Sequence, residues 1–246
     1  MLYSVTGLLL SPLIPAATMI LPSVSVRTNA LRLLRVDLRK GMNVGEIPEH
    51  WEGVYQTKAE AEVSWFEDRP QVSLDLIAST GATPDAAIVD IGAGSSRLVD
   101  CLLDEGFRQI TVLELSETAL AKTRARLPDG IPVTWVVGNV LDWHPSGHFD
   151  VWHDRAAFHF LTEPADQQAY LRVMDQALES GGHAIIGTFA PDGPEKCSGL
   201  PVARYDAALL SEQLGPGYRL LTSIYHDHRT PWGAVQRFHF GLFRKV

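Results

Sequence analysis

An apolar run that empties into two closely spaced glycines constrains this chain more than any other feature. Ile88-Val89-Asp90-Ile91 is rich in β-branched residues and bounded by turn formers, so it reads as a buried strand. Gly92 and Gly94 follow at once, and glycines one residue apart let the main chain turn sharply and approach a ligand with no Cβ in the way. Arg97 to Glu105 then carries apolar residues at Leu98, Cys101 and Leu102, the spacing of a helix face. Strand, glycine turn and helix in that order is the context that makes a glycine motif a candidate nucleotide-binding turn.

Further strands follow at the spacing of a doubly wound sheet. Ile110 to Leu115 is a second buried strand and ends in Glu114, whose carboxylate can accept two hydrogen bonds from a ribose diol while Leu115 covers one face of a purine. Val133 to Val137 is a third strand, closing at Gly138-Asn139-Val140, and Phe149 to Arg155 is a fourth. Gly181 to Thr188 reads as a turn and a fifth strand, and a final hairpin falls near Arg219 to His226 and Gln236 to Arg244. In an open parallel sheet of this kind, ligands meet in the crevice between strands 1 and 4, where the strand order reverses. A nicotinamide fingerprint would need a third glycine at position 97, which is Arg97, so the dinucleotide reading fails.

Asp90 stands two residues before Gly92-Ala93-Gly94, and this segment resembles motif I of the class I S-adenosylmethionine (SAM) methyltransferases, Asp/Glu-x-Gly-x-Gly-x-Gly, with Ser96 at the third glycine. Asp154-Arg155-Ala156-Ala157-Phe158-His159 resembles the stretch after strand 4 in thiopurine-methyltransferase-like enzymes and in lysine methyltransferases acting on elongation factors. The fold this implies is α/β: a Rossmann-like, doubly wound, seven-stranded sheet, mostly parallel with a carboxyl-terminal antiparallel hairpin and helices on both faces. The implied cofactor is SAM, held by Asp90, Gly92, Ala93, Gly94, Glu114, Leu115, Asn139, Val140, Asp154 and Arg155, with the Asn139 carbonyl accepting from the adenine amino group. The same relatives carry an amino-terminal aromatic lid, here Trp51, Tyr55 and Trp65 within about residues 48–80, and ring faces attract a sulfonium with little desolvation cost. The alternative for each ring is a plug beneath the sheet.

The implied activity is methyl transfer to a small-molecule or protein side-chain acceptor by in-line displacement. The alternatives are a protein lysine methyltransferase specifically, or a non-catalytic SAM-binding sensor or scaffold. Amino-methylating nucleic-acid enzymes carry Asp/Asn-Pro-Pro-aromatic after strand 4, which is missing from this sequence. His159 is the first candidate for a general base, with His226 and His228 behind it; the alternative packs His159 beneath Phe158 and Phe160. The acceptor walls should come from Phe189 to Pro194, Cys197 to Val202 and Thr230 to Gly233, with Phe189 and Trp232 touching substrate.

Charge divides the chain. Residues 1–42 hold five bases against one acid, a balance of +4, while the rest of a chain of net charge −8 carries −12. An acidic catalytic region argues against a phosphate backbone as partner. Met1 to Leu21 is apolar, but Pro12 and Pro15 interrupt it and no base precedes it, so no stable membrane association is expected. The first 42 residues read as a disordered leader, an organelle-type presequence or a start assigned too early with Met42 as initiator, the last fitting best with a recognisable domain at 43–246. Two cysteines, Cys101 and Cys197, in no metal-spaced pair fit a reducing, cytoplasmic setting. His226-x-His228 offers two ligands on one strand face but no third partner at ligand spacing, so no metal site is expected. A chain beginning at Met42 should melt cooperatively and bind SAM as the full chain does; loss of the cooperative transition would place the first 42 residues in the core.

Overall fold

The computed structural model describes residues 46–246, so the expectations for residues 1–42 lie outside the described residues. One seven-stranded sheet organises them. Its strands are β1 (Ala87–Ile91), β2 (Gln109–Glu114), β3 (Val133–Val137), β4 (Phe149–Arg155), β5 (Leu178–Phe189), β6 (Tyr218–Arg229) and β7 (Val235–Lys245), in the spatial order β3-β2-β1-β4-β5-β7-β6. The first five run parallel, and β7 pairs antiparallel with both β5 and β6. This is the doubly wound, mostly parallel architecture that the sequence implies, reversal point included.

Alternation along β1 builds two cores. Ile88 faces one cluster with Leu74, Leu98, Leu102 and Phe240, whereas Val89 and Ile91 face another with Trp152, Phe158, Tyr170 and Met174. Helices α2 (Gln71–Ser79) and α3 (Leu98–Asp104) cover the first face; α5 (Pro164–Ala177) and α6 (Ala207–Leu214) cover the second. A strand buried on both sides must be apolar at nearly every position, which is why β1 announces itself in the sequence. The turn expected at Gly181-Gly182 lies instead inside β5. There the ladder jumps from Phe149 opposite Leu178 to Val151 opposite His183, so the strand absorbs the irregularity rather than starting after it.

Helix α1 (Glu46–Thr57) docks on α4 (Glu117–Arg126) through reciprocal capping. The Glu52 carboxylate accepts from the Ser116 hydroxyl at 2.6 Å, from the Thr118 hydroxyl and from the Thr118 amide at 3.3 Å, placing a negative charge on the amino-terminal end of α4. In return Lys122 on α4 donates to the main-chain carbonyls of Tyr55 and Lys58, at the carboxyl-terminal end of α1. Each helix satisfies the other's orphan groups. The hydroxyls of Ser116 and Thr118 hold the Glu52 carboxyl down at about 2, from an ordinary 4.5. Because the folded value is the lower one, this stabilisation is complete above pH 4.5 and decays as pH falls toward 2. Hydrogen exchange in residues 46–57 should therefore accelerate in Glu52→Gln relative to wild type at pH 7, with the gap between the two closing in acid.

Candidate cofactor site

The glycine turn leaves β1 with Gly92 at φ +61° and Gly94 at φ +58°, left-handed values that disfavour any side chain. Space forbids one as well. A Cβ on Gly92 would lie 2.6 Å from the Ala157 Cβ, and one on Gly94 would overlap the Tyr55 hydroxyl. Glu114, at the end of β2, is 5% exposed and accepts from the Gly94 amide at 2.7 Å and from the Ser116 amide at 2.9 Å. Burial raises its carboxyl above the ordinary value, against those amides, which pull it down. A buried acid aimed at a bare glycine backbone is a donor–acceptor set that fits a ribose diol. The residues present therefore fit SAM.

Above the turn sits a cage of aromatic rings. Trp51 and Tyr55, one turn apart on α1, are both buried, and Leu115 packs beside them. Trp65 meets Trp51 at 5.7 Å and Tyr55 at 6.3 Å between ring centroids, edge to face, while Phe160 closes on Trp51 at 5.0 Å. Trp65 is held through its backbone, where Arg155 Nη1 donates to its carbonyl at 3.0 Å while Nη2 lies 3.4 Å from Glu67 Oε2. On the near side, Arg97 pairs with Glu60 at 3.0 Å, and Arg126 pairs with Asp100 while donating to the Ser96 carbonyl at 2.9 Å. Since the Tyr55 hydroxyl lies over Gly94, a ligand reaching the turn must displace that ring.

Two acids singled out in the sequence, Asp90 and Asp154, are buried and bonded within the protein. Asp90 accepts at 2.7 Å from His153 Nδ1, whose Nε2 lies 2.8 Å from the Ser73 hydroxyl; the three are buried and tie β1 and β4 to α2 beneath the turn. Asp154 accepts from the Ala157 and Phe158 amides and from the Tyr170 hydroxyl at 2.6 Å, shaping the turn after β4, and burial pushes it up to about 6. The Asn139 carbonyl accepts from the Leu141 amide at 3.0 Å, capping the short turn that holds Val140, and so has one lone-pair direction left for an adenine.

The acceptor side departs furthest from expectation. His159 is fully buried between Phe160 and Phe189, at 4.4 and 4.9 Å, and neither ring nitrogen has a hydrogen-bond partner among the described residues. Desolvation lowers its value to about 3, so it is a neutral, packed imidazole, a poor site for taking a proton. Phe189 is also fully buried, against Phe238, whereas Trp232 stands 62% exposed at the tip of the β6–β7 hairpin. The loop after β5 forms a short ladder, Lys196–Cys197 with Leu200–Pro201, near the lid. The described residues also include an open depression of about 400 Å³, but it lies at the amino-terminal edge of the strands, around Thr80, Asp150 and Gly182, away from the glycine turn. Sequence reasoning missed Glu52, Lys122 and Glu67, whose partners are distant in the chain.

Residues 88–182 match the family described as a methyltransferase domain. Nodulation protein S of Rhizobium tropici is 22% identical over 139 residues, 56% of this chain and 58% of that protein, so the chain spans less than two thirds of the curated relative it matches. Among solved structures, the N-methyltransferase NodS from Bradyrhizobium japonicum in complex with S-adenosylhomocysteine superposes with a TM-score of 0.62 at 13% identity, over 80% of this chain and 98% of that one. The 1,6-didemethyltoxoflavin-N1-methyltransferase of Burkholderia thailandensis gives 0.59 at 21% identity, over 98% and 93%. No helix among the described residues is long and apolar enough to cross a membrane. Residues 88–182 thus match a methyltransferase-domain family, and the sheet that carries the glycine turn and the buried acid has the Rossmann-like fold of S-adenosylmethionine-dependent methyltransferases.

Proposed function

We propose that this protein transfers the methyl group of SAM to a nitrogen of a small molecule. The observation that carries the reading is the aromatic enclosure of Trp51, Tyr55, Trp65 and Phe160 above the glycine turn and Glu114. A peptidyl lysine would call for an open acidic channel, whereas here Glu67, two residues after Trp65, has one carboxylate oxygen 3.4 Å from Arg155. Similarity to enzymes described as the N-methyltransferase NodS, a 1,6-didemethyltoxoflavin-N1-methyltransferase and a glycopeptide N-methyltransferase supports nitrogen as the accepting atom. The lid also accords with the thiopurine-methyltransferase-like resemblance, although the branch rests on short motifs.

The cofactor supplies an already activated methyl group, so the protein's task is placement and exclusion of water. In this reading Gly92 and Gly94 would admit the cofactor against bare backbone, Glu114 would hold the ribose hydroxyls, and Trp51, Tyr55 and Trp65 would supply apolar ring surface and exclude water. Asp90 and Asp154 act one step back, holding β1, β4 and the turn at Ala157 in place. No side chain is assigned as base; the acceptor enters with its lone pair free.

Glu114→Ala should weaken SAM binding by about 1–3 kcal/mol, roughly five- to over a hundredfold, because sugar hydroxyls lose their acceptor. Gly94→Val should abolish binding; calorimetry giving wild-type affinity for both variants would remove the cofactor assignment. Trp65→Ala should weaken SAM and slow transfer together, while a purely structural Trp65 would lower the melting temperature and leave affinity per folded molecule unchanged. Incubation with methyl-labelled SAM and a cell extract separated into small-molecule and protein fractions decides the acceptor class. Label in the small-molecule fraction is the expected result; label only in protein would favour the lysine reading, and no S-adenosylhomocysteine with either fraction would favour a sensor.

A further inference from the structure

We propose that Glu67, His226 and His228 form a binding site for a divalent transition cation of the zinc type, at the carboxyl end of β6 beside the lid. The two histidines alternate with Asp227 on β6, so they share a face, and the segment after Trp65 brings the third ligand to them from 161 residues away. One ligand atom from each residue lies within 4.8 Å of the other two.

The hydrogen bonding of His228 argues for a cation. Its Nε2 lies 2.6 Å from the Ser64 carbonyl, which can only accept, so Nε2 carries the proton. In the neutral imidazole Nδ1 is then a bare lone pair, and it faces Glu67 Oε1 at 3.1 Å. Two lone pairs at that distance repel unless a proton or a metal ion lies between them. The same oxygen lies 3.6 Å from His226 Nε2. Tetrahedral ligands bound at about 2.0–2.1 Å stand about 3.4 Å apart, which the two separations bracket. A histidine that donates its second ring nitrogen to a backbone carbonyl is the usual support for a metal ligand, and Arg155 on the far carboxylate oxygen orients Glu67 in the same way.

Exposure supports access as well as support. The His228 side chain is 3% exposed and that of Glu67 18%, giving a rigid base, while His226 at 34% opens to solvent on the side from which an ion would enter. Two imidazoles and a carboxylate suit zinc, cobalt or iron better than magnesium or calcium, which prefer oxygen ligands throughout. The bound ion would pin residues 64–67, at the base of the lid, to the edge of the sheet. The positive charge of Arg155 opposes it and keeps the affinity below that of a closed structural zinc site.

The test uses the full chain, stripped with chelator and titrated with cobalt(II) as a spectroscopic probe, then with zinc. One equivalent of cobalt with visible d–d absorption, displaced by zinc, is expected, together with a zinc-dependent rise in melting temperature. His226→Ala, which removes a partly exposed ligand and should fold, must weaken binding at least tenfold; His226→Gln and Glu67→Gln provide the same comparison if it does not fold. Equal affinity in wild type and variants would assign the binding to other surface histidines and overturn the site. Absence of binding would overturn it too. None of these readouts depends on methyl transfer.

Discussion

The buried carboxylate of Glu114 is the contact on which the rest of the site depends. Its two oxygens accept from the Gly94 and Ser116 amides, so one side chain fixes the glycine turn after β1 relative to the start of α4 after β2. The Gly92 and Ala93 amides already donate to the Leu113 carbonyl, so Glu114 adds the acceptor for the next glycine of the turn and for the amide that precedes α4. A carboxylate supplies two at once, at a desolvation cost visible in its raised titration. The Ser116 hydroxyl accepts from Ala119 and donates to Glu52, so the same corner also anchors the lid helix. Turn, helix start and lid thus converge on the residue that a cofactor ribose would engage.

Under the turn lies a second buried polar chain, Asp90–His153–Ser73, which gives a motif residue a different task. Asp90 and His153 are direct register partners on β1 and β4. Polar groups there interrupt an otherwise apolar sheet centre, and buried groups of that kind are tolerated when each finds a partner. They fix the relative depth of the two strands that border the switch point. A substituted Asp90 would therefore be felt at the cofactor through displaced backbone rather than a lost ligand bond.

What the sequence discloses and what it hides divide along contact distance. β3 and β4 fall where their residues predict, and the glycine turn is legible because backbone chirality and strand burial are written in adjacent residues. Trp51 and Tyr55 are legible as one helix face for the same reason. Glu52 and Lys122 reach partners more than sixty residues away, and nothing in their neighbourhoods marks them. Glu67 looks like one acid among several until β6 is laid beside it. His159 shows the converse: its place after β4 suggests chemistry, while Phe160, Phe189 and the turn set by Asp154 draw it inside.

Burial of His159 bears on how a methyl transfer here would handle protons. The rings over the turn are buried at Trp51 and Tyr55 and half-buried at Trp65 and Phe160, and desolvation disfavours the charged form of an amine. A protonated acceptor would pay that cost before reacting, whereas a neutral amine, the acceptor class proposed above, would enter with its lone pair exposed and need no base. In the proposed transfer one positive charge would move from sulfur to nitrogen, with none created or destroyed. Ring faces suit such a step because their attraction for a cation varies little as the charge shifts between neighbouring atoms, while a fixed carboxylate at the acceptor would favour one end. Glu67 is the acid closest to that role, and Arg155 with the two histidines of β6 draws its charge toward the sheet edge, leaving the space beneath the lid to the aromatic rings.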